Sequence, residues 1–130
     1  MPGYLEAVVD FVSQGDALAV VARGLGATVH VVAEVLRRAL ADDAEGGILV
    51  LNMNGREGAL REALARCGVD GSRLRAVTEG ERGGRYSGGG CILCSCRVAI
   101  VDLLDGTLDV SRVRGLLVAD AHRVTERSLE

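Results

Sequence analysis

Lysine is absent from the sequence of 130 residues, and all 15 basic side chains are arginine. The chain therefore has no side-chain amine that could form a Schiff base or contact the phosphates of a nucleotide in a P-loop. Tryptophan is absent as well and aromatic residues make up 2%, so Val, Leu, Ile and Ala must form the core. The longest apolar runs, such as residues 17–22, are less than half the roughly 20 residues that a bilayer span requires.

The rest of the composition is typical of a globular intracellular domain. The length predicts one domain over residues 1–130, large enough to bury roughly two thirds of its unfolded surface. A net charge of −3 provides no global basic character for binding nucleic acid. The N-terminal segment has no basic region, which argues against a secretory signal, and so we expect the four cysteines to be reduced thiols inside a cell.

The apolar pattern predicts alternating helices and strands. Helical stripes cover residues 4–13, a segment that Thr28 can cap, and a segment that ends near Gly68 with Cys67 facing inward. Glu34 and Arg38 are spaced to form an i,i+4 ion pair. Continuous apolar runs predict buried strands at 17–22, 47–52, 74–78, 91–94 and 116–119. This order indicates an α/β fold with a mainly parallel five-stranded sheet and helices on both faces, while residues 97–104 fit either a helix or a strand.

The turn between the first strand and the second helix is a candidate anion site. Gly24 and Gly26 allow a ligand to approach the backbone, and Thr28 follows at the N-terminus of the helix. A P-loop requires a lysine directly before this hydroxyl, and Ala27 occupies that position. A tight structural turn is the alternative interpretation of the same residues.

The last predicted strand ends in the residues Ala119, Asp120, Ala121 and His122. An acidic pair at this position would hold magnesium and orient water in a nucleotide hydrolase. Because Asp120 is the only acid here and lysine is missing, we expect no ATP hydrolysis, and we expect His122 to be a surface or packing residue. We predict no catalytic residue, cofactor or metal ion for this chain.

Three cysteines, Cys91, Cys94 and Cys96, form a C-x-x-C-x-C pattern that is compatible with zinc binding. A zinc site needs four ligands, and neighbouring strand positions point to opposite faces of a sheet. Buried, unreactive thiols are the alternative interpretation and the one that we favour. A third hypothesis makes Cys91 or Cys94 a catalytic nucleophile.

Arginines surround the glycine-rich segment 79–90, which is predicted to be an exposed loop. They are Arg73, Arg75, Arg82 and Arg85, with Tyr86 beside them. Such a cluster could follow a phosphate backbone while the aromatic ring stacks on a base. The alternative is a merely solvated charged loop, since Glu79 and Glu81 reduce its positive charge.

Five segments carry a further signal, and they are ARGLGA at 22–27, LVLN at 49–52, GGCILCSCR at 89–97, VDLL at 101–104 and GLLVADAHR at 115–123. In this order they resemble the XPF family of structure-specific DNA endonucleases, which act in nucleotide excision repair and crosslink repair. The resemblance covers about residues 5–126. It implies the first RecA-like, P-loop NTPase-like half of the family's N-terminal helicase-like region.

The resemblance also implies how this domain has changed. Ala27 stands for the lysine of active superfamily-2 helicases, and Ala119 and Asp120 stand where those helicases have Asp-Glu, so the ATPase motifs are degenerate. Residues 97–104 are implied to be a helix that follows Ser95. Ser95 and Arg97 join the candidate DNA-binding residues.

For the whole protein, the resemblance implies a nuclear endonuclease that binds DNA forks, bubbles and junctions and docks on repair scaffold proteins, without a membrane partner. The family's Glu-Arg-Lys-x-x-x-Asp nuclease motif and the region that binds its smaller non-catalytic subunit are not in this sequence. We therefore expect a domain of a longer protein that does not itself cut DNA, with a sheet that is incomplete at the C-terminus and leaves an edge or apolar patch exposed. The alternative is a protein-interaction domain without DNA binding.

Overall fold

A computed structural model describes residues 3–20, 28–41, 45–53, 55–77, 86 and 89–123. The chain forms two compact units. The first, here called the helical unit, comprises Met1–Asp43 and Gly58–Gly71, and the second, here called the sheet unit, comprises Ala44–Glu57 and Ser72–Glu130. No described helix is long and apolar enough to cross a membrane.

The helical unit contains three predicted helices, which the structure confirms. They are α1 (Gly3–Val12), α2 (Thr28–Ala41) and α3 (Glu57–Arg66). The first residue of α3, Glu57, belongs to the sheet unit. Leu5 and Val9 of α1 and Leu36 of α2 are buried, as their helical spacing predicts. An ion pair of 2.6 Å between Asp10 and Arg38 joins α1 to α2.

The structure confirms the predicted ion pair of Glu34 with Arg38, whose Nε atom lies 3.6 Å from Oε1 of Glu34. Arg37 is a second and closer partner, and its hydrogen bond holds the pKa of Glu34 below its ordinary value. The prediction for Cys67 is wrong. Cys67 is exposed and does not face inward. The reason is that α3 ends at Arg66, and Cys67 lies in the turn that Gly68 closes with a φ of 81°.

The sheet unit is built on four parallel strands. They are β1 (Gly47–Leu51), β2 (Leu74–Ala76), β3 (Gly90–Leu93) and β4 (Val113–Val118), in the order β2-β3-β1-β4. The unit also contains α4 (Cys96–Asp105) and the short 3-10 helices Val110–Arg112 and Ala121–Arg123; a third, Gly71–Arg73, begins in the helical unit. Every residue of β3 and the first four of β1 are buried, as expected for continuous apolar strands inside a parallel sheet.

The first predicted strand, at residues 17–22, is not confirmed, and the described sheet has four strands instead of the predicted five. Residues 17–20 have no strand hydrogen bonding, Leu18 is 71% exposed and Val20 is 88% exposed, while residues 21 and 22 lie outside the described part. An apolar run alone does not determine a strand, because the backbone N–H and C=O groups must also form hydrogen bonds with a neighbouring strand. The last strand is longer than predicted, since β4 begins at Val113 and so includes Arg114 and Gly115.

The segment that the residue pattern left open is a helix, as the resemblance implied. Ser95 caps α4 by accepting a hydrogen bond of 3.3 Å from the backbone N–H of Val98, and Gly106 ends the helix with a φ of 82°. The helix packs on the sheet through Val98 and Ala99, which belong to one buried cluster with Leu49 of β1 and Ile92 of β3. Both ends of α4 are therefore determined by local residues, while packing covers one of its faces.

A buried polar contact lies inside this core. Asp102 of α4 is fully buried, and it accepts a hydrogen bond of 2.5 Å from the hydroxyl of Tyr86. Tyr86 is itself 7% exposed and belongs to the same cluster as Val98. The contact ties the glycine-rich segment to the helix.

Candidate functional site at the carboxyl edge of the sheet

Two neighbouring strands end in strained backbone conformations at the carboxyl edge of the sheet. Asn52 follows β1 with a φ of 64°, and Asp120 lies two residues after β4 with a φ of 50°. Left-handed conformations cost non-glycine residues on the order of 1 kcal/mol, and they concentrate where a binding or catalytic geometry is maintained. In open α/β sheets this edge is also where ligands bind.

Arg56 holds these two turns together. Its Nη2 atom donates to the backbone carbonyl of Asn52 at 2.7 Å and to Oδ2 of Asp120 at 2.7 Å. The Arg56 and Asp120 side chains are 29% and 30% exposed, so water reaches the pair and limits its contribution to stability to about 1 kcal/mol or less. The acid at the end of β4 is thus engaged by an arginine of the same sheet unit.

The end of β3 adds polar groups to the same edge. Cys96 donates a weak sulfur hydrogen bond of 3.4 Å to Oδ1 of Asn52. The Nδ2 atom of Asn52 is buried and has no hydrogen-bond partner among the described residues. Ser95 is half-buried at the cap of α4, and Arg97 is exposed in the first turn of that helix.

The predicted acidic motif lies where its sequence position implies. Ala119 is buried, with 4% exposure, and His122 is exposed, as predicted for a surface histidine. Of the glycine turn, Gly24, Gly26 and Ala27 lie outside the described residues, and Thr28 is the first residue of α2 in the helical unit. The nucleotide-binding interpretation of this turn stays a prediction.

The candidate DNA-binding residues fall into separate groups. Arg73 directly precedes β2 at the amino edge, where the register places it opposite Gly90. Arg75 also reaches back to this end, since it donates to the carbonyl of Gly89 at 2.7 Å. Ser95 follows β3 five positions after Gly90, which corresponds to roughly 16 Å along a strand.

Ser95 and Arg97 therefore belong to the carboxyl edge, and they do not form one patch with Arg73 and Arg75 at the amino edge. Arg82 and Arg85 lie outside the described residues.

Tyr86 does not have the predicted role of a stacking platform. Its ring is 7% exposed and its hydroxyl is bound to Asp102, so no ring face is available to a base. The prediction was wrong because a tyrosine beside glycines and arginines is typical of an exposed binding loop. The burial of Asp102 in the middle of an amphipathic helix was the available clue, since a buried carboxylate needs a donor.

The structure confirms that the cysteines of the C-x-x-C-x-C pattern are buried thiols. Cys91, Cys94 and Cys96 are buried, and burial raises the pKa of Cys91 and of Cys94 to about 11. Protonated thiols are poor nucleophiles and poor metal ligands. Among the described residues, no group of three or more Cys, His, Asp or Glu side chains is arranged to hold a metal ion.

No protein-family model matches the chain, and no curated protein matches it at a significant level. The carboxyl edge has an arginine-neutralised carboxylate, a buried amide without a partner among the described residues, and a capped helix N-terminus. These groups are suited to binding more than to bond cleavage, because Asp120 is engaged by Arg56 and the thiol of Cys96 is buried beside Asn52.

Proposed function

We propose that this chain is a degenerate RecA-like domain of an XPF-type DNA repair endonuclease, which contacts DNA junctions and docks proteins without hydrolysing ATP. The ion pair between Arg56 and Asp120 is the observation that carries the proposal. A magnesium-dependent hydrolase needs a free carboxylate at this strand end. Here a guanidinium 2.7 Å from Oδ2 competes with any cation for that carboxylate, and Ala119 removes the second acid.

The four-stranded parallel sheet supports the same proposal at the level of the fold, since RecA-like domains are built on such sheets. The ordered matches to XPF segments support the family. Nuclear location, nuclease activity and pairing with a smaller subunit would be properties of the whole repair protein, and we propose them on the resemblance alone. In this domain the exposed Arg97 and the cap residue Ser95 are the proposed DNA contacts.

Two binding measurements test this function. Calorimetry with ATP and magnesium is expected to show no micromolar binding, and a phosphate-release assay is expected to show no turnover. Fork DNA, followed by fluorescence anisotropy, is expected to bind weakly, and Arg97→Ala is expected to weaken it several-fold and reduce the salt dependence by about one phosphate contact. Arg66→Ala is the control, because Arg66 is also an exposed arginine on a helix, in the other unit.

ATP turnover would contradict the loss of the ATPase. Equal fork affinities for Arg97→Ala and Arg66→Ala would contradict the DNA contact.

A protein-interaction domain without DNA binding is the second candidate function. It is favoured by large apolar side chains exposed on the sheet unit, among them Leu104 at 84% and Leu116 at 61%. Fork-DNA binding at near-physiological salt separates the two candidates. Complete loss of binding under those conditions would favour the second.

A further inference from the structure

An apolar groove of about 430 Å³ runs along the sheet unit between α4 and β4. We call it the α4–β4 groove. Apolar side chains of four segments line it. They come from α4 (Ile100 and Leu103 among them), from β1 (Leu49), from β4 (Leu116) and from the connection between α4 and β4 (Val110).

The groove exists because α4 covers only part of one sheet face. In the register of the sheet, Leu116 pairs with Leu49 and Val118 with Leu51, so these side chains share a face. Leu49 is 6% exposed because α4 packs on it, whereas Leu116 on the outer strand is 61% exposed. On this face of the sheet, α4 therefore covers β1 but leaves Leu116 of β4 exposed.

The exposed area decides between two kinds of occupant. Ile100, Leu103, Val110 and Leu116 line the groove and are between 41% and 67% exposed. Together they leave roughly 300 Å² of apolar surface accessible, which is within the range of the largest apolar patch on a typical monomer, and such patches are often functional. A stable interface between two copies buries about 800 Å² of polar and apolar surface on each partner. The patch alone supplies less than half of that area, which favours a single helix over a second copy as the occupant.

The charges around the groove are unevenly distributed. At the carboxyl edge, Arg97 and Arg123 are exposed, and Arg56 neutralises the neighbouring Asp120. At the opposite end, the exposed acids Asp105 and Asp109 are balanced in number by Arg112, which lies 4.0 Å from Asp109, and by the half-buried Arg114. The end where α4 begins is therefore the more positive.

We propose that the α4–β4 groove binds an amphipathic helix of a partner protein, oriented like α4 and carrying acidic residues in its first turn. A helix satisfies its own backbone hydrogen bonds, which an extended segment in an apolar groove cannot do. Lying beside α4, its N-terminus meets Arg97 and Arg123, and acidic residues are also favoured there by the helix dipole. The inference rests on the protein-docking part of the proposed function and names the chemistry of the partner.

A designed peptide of about 16 residues tests this inference. It carries leucines at i, i+3, i+4 and i+7, glutamates in the first turn and arginines in the last. A second peptide keeps the leucines and exchanges the two charged ends. Fluorescence anisotropy is expected to show binding of the first peptide to the full chain, and binding of the second that is several-fold weaker at low salt.

Two variants locate the binding site. Leu116→Glu and Leu103→Glu each place a charge in the groove, and each is expected to weaken the first peptide about tenfold, which corresponds to about 1.4 kcal/mol. Leu18→Glu is the matched control, because Leu18 is 71% exposed in the helical unit. Circular dichroism establishes that each variant is folded, and the two groove variants lie on different elements.

Three outcomes would overturn the inference: no binding of either peptide, equal binding of both, or equal effects of Leu116→Glu and Leu18→Glu. A concentration-dependent dimer that Leu116→Glu abolishes would replace the partner helix with a second copy of the chain. Leu116→Glu and Leu103→Glu leave Arg97, the proposed DNA contact, unchanged, so the ATP and fork-DNA measurements distinguish failure of the groove from failure of the proposed function.

Discussion

Removing one hydroxyl group tests the buried contact between Tyr86 and Asp102. Tyr86→Phe keeps the ring in the core and deletes only the donor of the 2.5 Å hydrogen bond to Oδ2 of Asp102. Because Asp102 is fully buried, water cannot replace the lost donor without opening the core. Leaving a buried acceptor without its donor costs about 1–3 kcal/mol, so we expect the unfolding free energy to fall by about that amount.

The measurement is urea unfolding and thermal unfolding followed by circular dichroism. For a chain of this length the loss corresponds to a decrease in Tm of roughly 4–11 °C. Tyr4→Phe is the matched control, because Tyr4 is 46% exposed on α1. Amide exchange in α4, for example at the Ala99 N–H that bonds to Ser95, is expected to become faster in Tyr86→Phe alone.

Stability of Tyr86→Phe within about 0.5 kcal/mol of Tyr4→Phe would refute the reasoning, since surface substitutions vary by that much.

Three further predictions concern a glycine of the sheet, the reactivity of the thiols and the dependence of stability on pH. Gly90→Ala is expected to destabilise the chain by more than about 1 kcal/mol in urea unfolding, because Gly90 has a φ of 82° and an added Cβ would lie 2.7 Å from the carbonyl oxygen of Arg73. Gly58→Ala, in open space on α3, is expected to stabilise it by about 0.5–1 kcal/mol, and equal effects of the two substitutions would contradict the argument. For the thiols, iodoacetamide at neutral pH is expected to modify Cys67 and to leave Cys91 unmodified in the folded chain, as mass spectrometry would show. Folding raises the pKa of Cys91 from 9.0 to about 11. Between these values the unfolded state loses the thiol proton while the folded state keeps it. The free energy of unfolding is therefore unaffected by this thiol below pH 9 and falls as the pH rises towards 11. The decrease from this thiol is on the order of 2 kcal/mol, and a Cys91→Ser variant with an unchanged alkaline profile would contradict it.

Much of the sheet was predictable because buried parallel strands carry a local signal. The runs that became β1 and β3 are continuous and apolar, and both are buried as predicted. The run at residues 17–20 has the same composition without strand pairing, since pairing depends on a distant segment and not on the run itself. Residues 97–104 were ambiguous because Val98 and Val101 suit both structures, and the cap at Ser95 decides for the helix.

The candidate site was only partly predictable. The position of Asp120 follows from the end of a strand, which the sequence indicates. Its ion pair with Arg56 joins residues 64 positions apart, and neither residue type nor spacing signals such a contact. The left-handed conformation of Asn52 was equally hidden, because asparagine occurs in many other turns.

The strand order of the sheet has a consequence for folding kinetics. The central strand β1 has both of its neighbours far along the chain: Ile48 pairs with Cys91, and Leu49 pairs with Leu116. Long chain segments must therefore close before β1 gains any partner, and proteins dominated by such distant contacts fold slowly, in milliseconds to seconds. During synthesis, β1 leaves the ribosome with two unpaired edges and acquires its second neighbour only after β4 has emerged. A hydrophobic strand that waits this long is the segment on which we expect a chaperone to act.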